Sequence, residues 1–328
     1  MAIQSSEINL YQSQVVNFTN SNGGKISTTV IQPGLSNTWW PVVSEAQLIS
    51  GAVQWRKSFV RIDNAQNTPG TNLRVSLWKP TAAEDVIYLA SGTQTDIQSD
   101  ITTPDLFGAG TLNSNITASV TVTFDVVVED GTVITFRDGD LIRISSESAI
   151  GVGNAEYATI SGTPSIVGDV VTITISGPLQ NSYSPTTTFV SSVIETASVI
   201  GTTTNKVVTS VNGTFNEANM VVGSLGSIYQ TLTFTFSSSS AYTVTSDTLT
   251  FSSPNGTIGN IFAPTNVSVG ASYVSVPPNC WGGTFADGDT VVITTVPPSV
   301  PIWEKRIIFA GTSAIALQGR TLVITVES

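Results

Sequence analysis

Histidine is absent from all 328 residues, and cysteine occurs once, at Cys280. The first absence removes Ser-His-Asp and Cys-His arrangements and the usual zinc ligand sets. The second excludes an intrachain disulfide, so the fold must stand on its cores. Charge is scarce: Asp, Glu, Lys and Arg make up 11% of the chain, against roughly 25% in ordinary soluble proteins. No stretch approaches the ~18 uninterrupted apolar residues of a membrane-spanning helix. Met1 to Glu7 has neither the basic nor the apolar region of a secretory signal. These absences lead to the expectation of a chain made in a cytoplasm, with no membrane partner.

What remains is written mostly in Ser, Thr, Val, Ile and Gly, with hydrophobic residues at 40%. Outward sheet faces then carry hydroxyls in place of Lys and Glu. Hydroxyls cost less to desolvate than charges, which suits burial against neighbouring subunits. The net charge is −11. That balance argues against nucleic acid as a partner, because phosphates must be neutralised by clustered Lys and Arg. Of the 12 basic residues, Lys25, Arg56, Lys57, Arg61, Arg74 and Lys79 lie before residue 80, whereas Glu84 to Glu147 is mostly acidic.

Alternation with period two runs through Val120–Val128, Val170–Ser176, Thr231–Phe236 and Thr321–Glu327. In β-branched residues this pattern means half-buried antiparallel strands. Helical spacing is nearly absent; Ala82 to Asp85 and Glu217 to Asn219 supply single turns at most. Asn22-Gly23, Asp130-Gly131, Asn212-Gly213 and Asn255-Gly256 supply turn residues that tolerate positive φ. The predicted fold class is all-β: two or three consecutive antiparallel β-sandwich domains, immunoglobulin-like or jelly-roll-like, with very little helix. Breaks near Asp105–Gly110 and Gly201–Asn205 divide the chain into 1–108, 109–203 and 204–328. The stiff segment Pro297 to Pro301 delivers the last two strands, Trp303–Ile308 and Thr321–Glu327.

One internal similarity joins Phe136-Arg-Asp-Gly-Asp-Leu-Ile-Arg-Ile144 to Phe285-Ala-Asp-Gly-Asp-Thr-Val-Val-Ile293. Two sandwiches on one plan explain it, and so does convergent hairpin chemistry. Asp138, Asp140, Asp287 and Asp289 are the carboxylates to weigh for glycoside cleavage or calcium. Asp in such turns is favoured for its own backbone hydrogen bonds. We therefore assign no catalytic residue, cofactor or metal.

The tryptophans divide by context. Trp55, Trp78 and Trp303 read as core. Trp39 and Trp40 cannot both face inward from an extended strand, so one of them is an interface anchor. Trp281, before two glycines, is another candidate, and such rings also stack on sugars. The candidate interface set is Trp39, Trp40, Arg56, Lys57, Trp281, Lys305 and Arg306.

Several segments resemble an uncharacterised family of structural proteins from Mu-like and other contractile-tailed bacteriophages and prophages. They are Ser5-Ser-Glu-Ile-Asn-Leu-Tyr11, Asn22-Gly-Gly-Lys-Ile-Ser27, Gly51-Ala-Val-Gln-Trp-Arg-Lys57, Gly92-Thr-Gln-Thr-Asp96, Tyr157-Ala-Thr-Ile-Ser-Gly162, Asn181-Ser-Tyr-Ser184, Gly259-Asn-Ile-Phe-Ala-Pro264 and Pro301-Ile-Trp-Glu-Lys-Arg306. Phe309-Ala310-Gly311 departs from the family's Pro-Ala-Gly. The resemblance implies a non-enzymatic virion component of the neck, tail or baseplate. Its partners would be copies of itself and other phage structural proteins. The alternative is an exterior module that binds a receptor or a host surface glycan.

Overall fold

The structure, a computed structural model, describes residues 2–34, 39–81, 84–185, 187–313 and 320–327. It is all-β, with 24 strands, one six-residue helix and four 3-10 turns among the described residues. One 3-10 turn is Glu217–Asn219, as predicted. Of the other predicted turn, Ala82 and Ala83 lie outside the described residues, and Asp85 opens a strand. The helix α1 (Glu45–Ser50) was not predicted. Ser44 and Gln47 cap it reciprocally, which offsets its short length.

The chain opens with β1 (Ile8–Val15), β2 (Gly23–Val30), β3 (Ala52–Ile62), β4 (Gly70–Leu77) and β5 (Asp85–Ser91). A middle unit follows: β6 (Ala109–Leu112), β7 (Thr123–Val128), β8 (Leu141–Ser145), β9 (Ala155–Thr159), β10 (Ser165–Val167), β11 (Val170–Thr174) and β12 (Phe189–Ser192). Next comes β13 (Ile194–Val199). The third unit holds β14 (Thr202–Thr209), β15 (Asn212–Phe215), β16 (Gln230–Phe236), β17 (Ala241–Ser246), β18 (Asn255–Thr257), β19 (Thr265–Asn266), β20 (Ala271–Ser272), β21 (Trp281–Thr284) and β22 (Thr290–Val296). The chain closes with β23 (Ser299–Ile308) and β24 (Leu322–Glu327).

The pairing differs from a row of consecutive domains. β23 lies between β3 and β5 in a sheet ordered β2-β1-β3-β23-β5, and β24 and β13 flank β4 in a second sheet. Residues 299–327, placed with the third unit from sequence, therefore complete a base begun by residues 8–91. β13, placed with the middle unit, belongs to the base too. Alternation reveals that a segment is a strand but not which strand it pairs with, and these partners are more than 100 residues away. The two base sheets enclose Val60, Ile62, Leu73, Val75, Leu77, Leu89 and Ile302.

The other two units are insertions into this base, each leaving and re-entering on a paired stem. Ala109 faces Ser191 at the root of the middle unit, and Thr202 faces Val296 at the root of the third. The middle unit is one seven-stranded sheet rolled around Phe124, Val126, Ile142, Ile144, Ile173 and Val190. The ends of β9 and β11 meet through Ile160 and Ile175. Val120 and Val122, read as strand, are exposed and precede β7. Ser119 takes a positive φ there and bends the chain. The third unit packs an aromatic core of Phe215, Phe234, Phe236, Tyr242, Phe262 and Phe285.

The repeated Asp-Gly-Asp segments build the same corner. In each, a buried Phe precedes it, and the second Asp accepts from the backbone three residues earlier: Arg137 N to Asp140 and Ala286 N to Asp289, both at 2.8 Å. Gly139 and Gly288 share a φ of 84°, which favours glycine. Each corner leads into a strand one in from its sheet's edge, but β8 is the third of its unit's strands along the chain and β22 the last of its own. The shared element is thus a corner and not a common strand order.

Candidate functional site

Four of the seven predicted interface residues converge on one face of the base. On β3 and β23, Gln54, Arg56 and Ser58 stand opposite Arg306, Glu304 and Ile302. Side chains alternate across a strand, so these share the face that carries Val60 and Ile62. The apolar half of that face is covered by the second sheet. The polar half is covered by the segment Trp39-Trp40-Pro41, which forms a bend and not a strand. Both indoles therefore turn inward: Trp39 is buried, and Trp40 is half-buried against the base core.

Glu304 is fully buried and is the hub of the site. Trp39 Nε1 donates to its Oε1 at 3.0 Å, and Arg320 pairs with both of its oxygens. Arg56 donates to the carbonyl oxygens of Trp39, at 3.3 Å, and Asn17. Arg306 Nε pairs with Asp85 Oδ2 at 2.6 Å. The two guanidinium carbons of Arg56 and Arg306 lie 5.9 and 5.8 Å from the Trp40 ring. Burial pulls the Arg56 guanidinium below its ordinary value, and Glu304 opposes the pull. Trp40 Nε1 and Gln54 Oε1 find no hydrogen-bond partner among the described residues. A buried charge is tolerable only when paired, and here the pairs tie residues 39–58 to residues 304–320. Chemically the site is a clasp between the two ends of the chain.

Lys57 lies on the opposite face of β3, fully buried, with its ammonium 2.6 Å from Asp96 Oδ1. Lys305 is half-buried on that same face, 5.7 Å over the Trp55 ring. Trp281 sits far along the chain in the third unit's core, in contact with Phe215, Phe234, Phe236, Tyr242 and Phe285. Of the tryptophans read as core, Trp303 is fully buried, whereas Trp55 and Trp78 are half-buried. Trp39, Arg56, Lys57 and Arg306 are too buried by their own chain to anchor a neighbour.

Two further charged joints were not singled out in the sequence. Arg61 donates from Nη2 to the carbonyls of Ser224, Leu225 and Ser227 at 2.8, 3.1 and 3.0 Å, clamping the third unit to the base. Its Nε lies 2.8 Å from Asp63 Oδ1 but makes no hydrogen bond, so that attraction is coulombic. At the joint to the middle unit, Thr81 donates to Glu129 at 3.4 Å. Burial, reinforced by Asp85, pushes the Glu129 carboxyl up to about 7, and the Thr81 hydrogen bonds oppose it.

Glu129 fixes a pH dependence. Between about 4.5 and 7 the folded chain keeps this proton and the unfolded chain has lost it. Unfolding then releases a proton, so this group's contribution to stability falls as pH rises through that window and levels off above it. Urea denaturation at pH 5 and pH 7.5 is expected to show this loss, and Glu129→Gln is expected to shrink it. An unchanged difference in the variant would assign the dependence elsewhere.

Among the described residues no group of three or more Cys, Asp or Glu is placed to hold a metal ion. Asp138 accepts from the distant Gly162 N, Asp140 accepts from Arg137 N within its own turn, and Asp289 accepts a backbone N–H from Ala286 and a hydroxyl from Ser210. No family model, curated protein or solved structure matches this chain.

Proposed function

We propose that this chain is a structural subunit of a tailed-bacteriophage virion, made in the bacterial cytoplasm and seated in the neck, tail or baseplate. It assembles by lateral contacts of its β units with copies of itself and with other phage structural proteins, and it turns over no substrate. The observation that carries the reading is the outer face of the third unit's sheet. Two cross-strand rows run over four strands there: Thr245–Thr233–Val292–Val207 and Thr243–Thr235–Thr290–Thr209. Neither row contains a charge, and Thr235, Thr243, Thr245, Val207 and Thr209 are exposed. A lattice of hydroxyls and methyls desolvates cheaply against another protein surface. The resemblance of segments along the whole chain supplies the virion context. Mass spectrometry of purified particles is expected to find the chain in a fixed multiple of other structural proteins. Its absence from intact particles would end the reading.

A second reading, an exterior module for host glycans, draws on a cleft of about 350 Å3 at the edge of the third unit. Tyr242 and Phe262 form its apolar part, and Thr243, Asn255, Thr257 and Asn260 bring hydroxyls and amides to it. Glycan-array binding that disappears on Asn255→Ala would favour this reading over the first.

A further inference from the structure

A lysine with no exposure, in the middle of an aromatic core, is costly unless it has a task. Lys57 is such a residue. Its ammonium lies 4.9 Å from the Phe59 ring centre and 5.7 Å from that of Trp303. Three oxygens surround Nζ: Gly24 O at 2.7 Å, Asp96 O at 3.0 Å and Asp96 Oδ1 at 2.6 Å. The Asp96 carboxyl is held from both sides. Trp303 Nε1 donates to Oδ2 at 2.7 Å, and Thr93 N donates to Oδ1 at 3.0 Å.

We propose that Lys57 and Asp96 condense to an intramolecular isopeptide bond, a covalent staple between the central strand β3 and the loop after β5. The two carbonyl acceptors suit a neutral amine. They take its two N–H groups and leave the nitrogen lone pair facing the Asp96 carboxyl. Burial favours this form, pulling the Lys57 amine below its ordinary value against the opposing effects of Asp96 and Asp100. One proton first passes from the Lys57 ammonium to Asp96 Oδ1. Nζ then attacks the carboxyl carbon, and the developing charge on Oδ2 meets the Trp303 N–H, a donor already in place. A second proton passes from nitrogen to Oδ1, which departs as water while the amide forms. One C–N bond is made and one C–O bond is broken, with no oxidant or external reagent. The Asp96 side chain is 15% exposed, so the water has a way out.

The staple stands or falls apart from the virion reading, and the intact chain tests it. Denatured full-length protein is expected to weigh less than its sequence by one water, about 18 Da. Its tryptic digest is expected to contain a branched peptide joining the segments of Lys57 and Asp96. Asp96→Asn is expected to form the same link by loss of ammonia, about 17 Da, and Lys57→Met is expected to keep its full mass. An unmodified wild-type mass would overturn the proposal. So would loss of water with Lys57 recovered in a linear peptide, which would place the dehydration at another residue.

Discussion

Glu304→Ala is expected to destabilise the base by about 3–5 kcal/mol, the range found when one member of a buried charge pair is removed. The size follows from what the carboxylate leaves behind. Arg320 and Arg56 lose the anion that compensates them, and Trp39 Nε1 loses its acceptor, all within a face sealed by the Trp39–Pro41 segment. β23 carries Glu304 and is hydrogen-bonded on both sides, so the damage sits in the middle of the five-stranded sheet. Tryptophan fluorescence in a urea titration reports it, because Trp39, Trp40 and Trp303 all lie in the base. A loss under about 1 kcal/mol would mean that the clasp is ornamental to stability, as many exposed pairs are.

Arg61→Ala is the second large effect, again about 3–5 kcal/mol, but at the joint and not in the sheet. Removing the guanidinium leaves the carbonyls of Ser224, Leu225 and Ser227 without their donor and leaves Asp63 without its cation. The remaining ties between base and third unit are lighter. Lys25 pairs with Asp247 at 2.9 Å with both side chains about a third exposed, and Asn67 accepts from Ser224 N. Hydrogen exchange is therefore expected to rise in residues 223–227 and at the neighbouring base loop, with the aromatic core of the third unit still protected. Equal loss of protection through that core would show that Arg61 supports the unit itself and not its attachment.

Local structure was legible in the sequence because local rules fix it. The strands at Thr231–Phe236, Val170–Thr174 and Leu322–Glu327 follow from alternation of β-branched and aromatic residues. The two corners at Gly139 and Gly288 follow from Asp-Gly-Asp chemistry. The assembly of the base was not legible. Its central pairing joins Ala52–Ile62 to Ser299–Ile308, and nothing in either segment names the other; only the closed sheet reveals that the chain ends meet. The same limit governs the site. Of the candidate interface residues, Trp39, Trp40, Arg56 and Arg306 gather on one face of the base. Trp39, Arg56 and Arg306 are buried by their own chain, and their partners, Glu304 and Asp85, lie far away in sequence. A further signal lies in β23 itself, at Glu304. Glu304-Lys305-Arg306 interrupts an apolar strand, and on a strand buried on both faces such charges need partners.

The account rests on a base closed by both ends of the chain, from which two self-contained β units project. Hydrogen exchange of a chain ending at Val296, which lacks β23 and β24, tests it most directly. The account predicts that amides of β3, β4 and β5 lose protection while those of β7, β8 and β11 in the middle unit and of β16 and β17 in the third keep it. Retained protection in β3 and β5, or its collapse throughout the chain, would contradict it.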